Sequence, residues 1–126
     1  MEMIECIRFD GGRFDILNGF DEMLLCGMAV GARGGVGSTY NYSLRTYQNI
    51  YDAFMAGDLE QARAAQQESV DIVHVIINHG GGIRGGKAIM KLVGIDCGDC
   101  RLPLAPYTEA EIARLDEELR AIGFKK

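Results

Sequence analysis

The stretch from Asp15 to Tyr40 constrains the fold of this chain more than any other. Phe14, Ile16 and Leu17 form a brief apolar run that Asn18-Gly19 interrupts. Residues 23–30, MLLCGMAV, have helix length and are apolar almost all round, and residues 31–40, GARGGVGSTY, return to a glycine-rich extended pattern. A short apolar run bounded by turn residues suits a buried parallel strand, and a helix between two such strands gives a βαβ unit. The sequence therefore predicts an α/β fold with a polar residue at the end of each strand.

Asp21 and Glu22 stand where the helix would begin, and two carboxylates there suit its free N–H groups and positive dipole end. That is one reading of them, as caps. The other comes from the second segment, where Gly34-Gly35-Val36-Gly37 leads into Ser38-Thr39. Glycines without a Cβ let the backbone approach a ligand or another strand closely. If the two strands are parallel neighbours, Gly19, Asp21, Glu22 and Ser38 lie together at the carboxyl edge, where ligand sites of α/β folds are found. Carboxylates accept and a serine does either, so the group suits a hydroxyl-rich ligand.

At these residues a resemblance becomes specific. Leu17-Asn18-Gly19-Phe20-Asp21-Glu22, followed by Gly34-Gly35-Val36-Gly37-Ser38-Thr39-Tyr40-Asn41, closely resembles the last two barrel strands of the N-acetylneuraminate lyase family. That family shares a (β/α)8 barrel with an added C-terminal helical region with dihydrodipicolinate synthase. The likeness continues through Tyr47-Gln48, Gly57-Asp58, Arg84-Gly85, Lys87 and Cys100-Arg101-x-Pro103 to the closing helix, nearly the whole chain. It implies a partial (β/α)8 TIM barrel: residues 1–57 as its last two β/α units, and residues 58–126 as C-terminal helices packed in the same domain.

The resemblance also implies a chemistry. The complete enzymes are class I aldolases that split N-acetylneuraminate into N-acetylmannosamine and pyruvate through an imine on a lysine, with no metal or organic cofactor. The residues matching Gly19, Asp21, Glu22 and Ser38 hold the hydroxyl-rich end of the sugar acid. The imine-forming lysine and an assisting tyrosine belong to earlier strands, so this chain is expected to carry no catalytic residue and to be inactive alone. A homo-oligomer, tetrameric in the family, or association with the missing N-terminal half is expected. Two other readings stay open: a barrel-derived helical module that binds a partner or sugar acid without turnover, and an aldolase acting on another 2-keto sugar acid.

Length agrees with a partial barrel, since 126 residues are half of the roughly 250 that a complete one needs. A net charge of −5 and a pI near 5.0 oppose binding to nucleic acid or anionic membranes. With no span-length apolar run and no leader pattern, a soluble cytoplasmic chain with its four cysteines reduced is expected.

The rest reads as helices. Residues 1–8 form a short helix ended by Asp10-Gly11-Gly12; residues 41–56 place Leu44, Tyr47, Tyr51 and Phe54 on one face. Asp58-x-x-Gln61 is a capping box opening a helix through Leu59, Ala62, Val70, Val73 and Ile77, and Thr108-x-x-Glu111 opens another with Ile112, Leu115, Leu119 and Ile122 inward. A short helix over 83–93 lies between them. Cys26 and Met28 are expected in the core, with one of His74 and His79 packed and the other near a helix end. Gly80-x-Gly82-x-x-Gly85 follows a helix rather than a strand, so it is no dinucleotide site. Cys97-x-x-Cys100 precedes a proline-rich loop rather than a long helix and reads as structural. Lys87 lies on a polar helix, and Lys91, Lys125 and Lys126 look like surface groups.

Overall fold

A computed structural model of the chain describes residues 2–124. Its helices are α1 (Glu2–Arg8), α2 (Leu24–Ala29), α3 (Tyr40–Met55), α4 (Leu59–Asn78), α5 (Gly82–Leu92) and α6 (Glu109–Ala121). Short 3-10 turns at Phe9–Gly12 and Asp21–Met23 follow α1 and precede α2. Lys125 and Lys126 lie outside the described residues. The chain divides into two compact units, one reaching to Ser69 and the other starting at Val70, so the boundary falls inside α4.

The two expected strands do not form a ladder among the described residues. They meet at a single parallel bridge, Asn18 with Gly35, in which Asn18 N–H donates to Gly34 O and Val36 N–H to Asn18 O, both at 2.9 Å. The order of segment, helix and parallel segment is as expected, and the extent of pairing is not. Parallel strands are at home inside sheets with neighbours on both sides, and a two-stranded pair is marginal.

In the first unit, Leu24 and Met28 of α2, Tyr47 and Ile50 of α3, and Ala65 of α4 form the core, with Leu25, Tyr40 and Phe54 packed against it. The aromatic face of α3 is shifted from its expected register. Leu44 and Tyr51 are exposed, and Ile50 takes the buried place beside Tyr47, leaving the amphipathic Tyr51 ring at the surface. Helix α2 is one-sided rather than buried all round: Leu24, Gly27 and Met28 face inward, whereas Cys26 and the flanking Met23 and Val30 are exposed. The expectation of a core position holds for Met28 and fails for Cys26, because six residues present only one inward face.

The second unit buries Ile72, Val73, Val75 and Ile76 of α4, Ala88 and Ile89 of α5, and Leu115 and Leu119 of α6. A Cβ at Gly85 would press on Ile76 at 3.0 Å, so this glycine permits α5 to lie close to α4. Ile77 is exposed, and Ile122 falls just beyond α6 and is also exposed, so neither joins the stripe expected of it. The Thr108 capping box forms in full, and at Asp58 the side chain accepts from Gln61 N–H at 2.9 Å. His74 is exposed, and the His79 side chain is the buried one although it follows the end of α4. One histidine thus takes both expected positions.

Candidate functional site

The turn between the bridged segment and α3 carries Gly37, Ser38 and Thr39, and it lies against Asp21 in the 3-10 turn before α2. Thr39 donates its backbone N–H to Asp21 Oδ2 at 3.1 Å and its hydroxyl to the same oxygen. A Cβ on Gly37 would collide with the other side of the carboxylate. The close approach anticipated at these glycines is therefore made, at Gly37, to the chain's own aspartate.

The network continues from Thr39. Its Oγ1 lies 2.6 Å from the Tyr47 hydroxyl, which has Ser69 nearby. Ser69 Oγ accepts from Gln66 Nε2 at 2.5 Å, and the same amide nitrogen reaches the Asp21 carbonyl at 3.4 Å. Gln66 Oε1 in turn accepts Leu25 N–H at 2.8 Å, satisfying one of the free donors in the first turn of α2. Burial pushes the Tyr47 phenol up to about 12, and the Asp21 charge adds to it. Tyr40 stacks on Tyr47 with ring centroids 4.0 Å apart. The hydroxyls of Tyr40, Tyr42 and Ser43 are buried without a partner, and burial first, then nearby Asp21 and Tyr47, raises both phenols above the ordinary tyrosine range.

Of the residues singled out by sequence, Asp21 is buried at 7% exposure, Glu22 is half-buried, and Gly19 and Ser38 are exposed. Asp21 and the turn bearing Ser38 are brought together. A Cβ added at Gly19 meets nothing within 4 Å, so packing within the chain does not require glycine there. Sequence reading missed Thr39, Gln66 and Ser69 as members of the network and took Tyr47 for packing alone. Thr39 had one signal, its place directly after Ser38; Gln66 and Ser69 had none.

The second unit holds two clefts. One, of about 170 Å³, is lined by Arg84, Lys87, Lys91, Asp96, Asp99 and Tyr107 among others; the other, of about 350 Å³, runs past His79, Arg84, Glu111, Arg114 and Glu118. Their charged groups are largely engaged by one another. Arg84 donates to the carbonyls of Ala105 and Pro106 and to Glu111, and stacks 3.8 Å from the Tyr107 ring centroid. Lys87 Nζ donates to the carbonyls of Cys97, Gly98 and Asp99 at 3.0, 3.3 and 3.0 Å. His79 Nε2 lies 3.0 Å from Glu118, which also takes Arg114. Cys97 and Cys100 are free thiols. Among the described residues no group of three or more His, Cys, Asp or Glu is placed to hold a metal, and no helix is long and apolar enough to cross a membrane.

Comparison with known proteins adds to this geometry. A model of the dihydrodipicolinate synthetase family matches residues 1–122. The N-acetylneuraminate lyase of Rhizobium meliloti is 35% identical over 122 residues, covering 97% of this chain and 40% of the relative. That of Mus musculus is 38% identical over 113 residues, covering 89% and 35%. The solved Proteus mirabilis N-acetylneuraminate lyase superposes with a TM-score of 0.91 at 36% identity, covering 98% of this chain and 42% of that one. The N-acetylneuraminate lyase (sialic acid aldolase) of Aliivibrio salmonicida gives a TM-score of 0.91 at 37% identity, covering 99% and 41%. The chain thus spans about two fifths of the length of these proteins.

Proposed function

Because the chain belongs to the dihydrodipicolinate synthetase family, we propose that it is the C-terminal portion of an N-acetylneuraminate lyase, a class I aldolase that cleaves sialic acid to N-acetylmannosamine and pyruvate. In this reading the bridged segments are the last two strands of a (β/α)8 barrel, and the helices from α4 onward are its C-terminal region. Gly19, Asp21, Glu22 and Ser38 form the wall against the hydroxyl-rich end of the sugar acid. Glu22 and Ser38 do so from accessible positions and Asp21 from behind them. The observation that carries the reading is the coupling of the Asp21 carboxylate to the turn bearing Ser38, in a chain whose relatives are N-acetylneuraminate lyases. The open space around Gly19 supports it, since a ligand backing onto this residue supplies a reason for glycine that the chain itself does not.

The imine-forming amine comes from outside this chain. A Schiff-base lysine must be neutral to attack a carbonyl. Lys87 has its three protons directed at three carbonyl oxygens, a place for an ammonium ion, and Lys91 lies 3.8 Å from Asp96. The partners are therefore a sugar acid, pyruvate, and either further copies or the rest of a barrel.

Incubation of the chain with pyruvate and borohydride, read by intact mass, is expected to leave it unmodified. A stoichiometric adduct on one lysine would overturn the division of labour. In a chimera carrying the residues of the Rhizobium meliloti lyase that this chain does not cover, Glu22→Ala and Ser38→Ala are expected to slow sialic acid cleavage. Each should cost about 1–3 kcal/mol while pyruvate imine formation persists. Unchanged kinetics in both would reduce these residues to caps and turn formers.

A further inference from the structure

The hydrogen bonds around Asp21 form a connected set, and proton counting gives part of it a direction. Thr39 has one hydroxyl proton and gives it to the Asp21 carboxylate, so the Tyr47 phenol is the donor to Thr39 Oγ1. Gln66 donates to Ser69 Oγ and reaches the Asp21 carbonyl with the same amide nitrogen. On the carboxylate, Oδ2 takes both donors of Thr39, and Oδ1 lies where a Gly37 Cβ would be. Gly37 and Thr39 are the two neighbours of Ser38 in the chain. Asp21 therefore bonds to one neighbour of an exposed serine and packs against the other.

We propose that Thr39, backed by Tyr47, is a positioning residue that sets the preference for a hydroxyl-bearing sugar acid over a 2-keto acid without hydroxyls, by clamping Asp21 to the turn that presents Ser38. The inference rests on the reading that Glu22 and Ser38 face the substrate's hydroxyls. Recognition of a hydroxyl array needs donors and acceptors at fixed separations, and Glu22 directly follows the residue that the clamp holds. A ligand without hydroxyls uses no such spacing, so loosening the turn leaves its binding unaffected. Thr39 touches no ligand in this scheme, and its action passes through Ser38 and Glu22. Tyr47 is anchored by its ring in the core beside Ile50 and Met28, which gives the clamp a rigid base.

The test is a titration of the whole 126-residue chain with sialic acid and, separately, with pyruvate, followed by amide NMR at Ser38 and Glu22. The wild-type chain is expected to prefer sialic acid. Thr39→Val keeps the shape and loses the hydroxyl; it should weaken sialic acid binding roughly tenfold with no change toward pyruvate. Thr39→Ser restores the donor and should stay within about twofold of wild type. Tyr47→Phe keeps the ring in the core and carries the test if Thr39→Val fails to fold; a reduced preference supports the clamp. A preference unchanged in the folded variants overturns the clamp and leaves the proposed site standing. Equal weakening toward both ligands overturns it as well, since general loosening has no selectivity. A wild-type chain without preference for sialic acid overturns the site reading itself, and the clamp with it.

Discussion

Thr39 gives both its backbone N–H and its side-chain hydroxyl to one carboxylate oxygen of Asp21, a residue eighteen positions earlier. Hydrogen bonds to a charged acceptor contribute about 1.5–3 kcal/mol, more than neutral ones. Asp21→Asn keeps the shape and removes the charge, and is expected to lower stability by about that amount. Urea melting followed by circular dichroism measures it. An unchanged midpoint would mean that the carboxylate adds nothing to the first unit beyond its volume.

Tyr40 and Tyr47 stack on each other but differ in what their hydroxyls meet. Tyr47 OH lies against Thr39 and Ser69, whereas Tyr40 OH is buried without a partner. Removing a bonded hydroxyl costs on the order of 1 kcal/mol or more, and removing an orphaned one relieves a desolvation penalty. Tyr47→Phe is expected to lower the melting temperature and Tyr40→Phe to leave it level or raise it. The same loss in both would show that Tyr40 OH has a partner after all.

Glu111 predicts an acid-sensitive end of α6. Thr108 N–H, then the Arg84 guanidinium and the Thr108 hydroxyl, hold its carboxyl down to about 2 from an ordinary 4.5. A depressed folded-state pKa gives stability that is present above the unfolded value and lost as pH falls through the folded one. The start of α6 should therefore loosen between pH about 4.5 and about 2. Glu118, lowered by His79 and then by Arg114, acts in the same sense. Amide shifts of residues 108–112 through an acid titration check this, and Glu111→Gln should flatten the response.

Lys87 predicts a local loss of order. Its ammonium gathers three successive carbonyls, and Gly98 N–H within that loop donates to Asp96 at 2.8 Å. Lys87→Met is expected to raise hydrogen exchange at Gly98 and its neighbours roughly tenfold, with α5 still helical. Exchange at the wild-type rate would show that the loop holds its own shape.

The helices were legible because their causes are local. Thr108 and Glu111 mark the start of α6 within four residues, and the spacing of Leu115 and Leu119 marks its inward face. Short elements were less so: α2 exposes Cys26 because an apolar sequence does not say which face has a neighbour. The strands were legible as extended segments but not as a ladder, since pairing depends on neighbouring strands and on register. Asp21 and Ser38 were singled out by their places at the ends of the two segments and by the family resemblance. Thr39, Tyr47, Gln66 and Ser69 meet only once α3 and α4 are packed, and no local pattern encodes that.

Gln66 makes the six-residue α2 depend on a helix far along the chain. A helix of this length is below what nucleates alone in water, and the partner for its Leu25 N–H lies forty-one residues later. During synthesis α2 is thus complete only after the first half of α4 has been made and docked. Closing that contact spans a long loop, so it costs more chain entropy than a cap supplied from within the helix's own first turn.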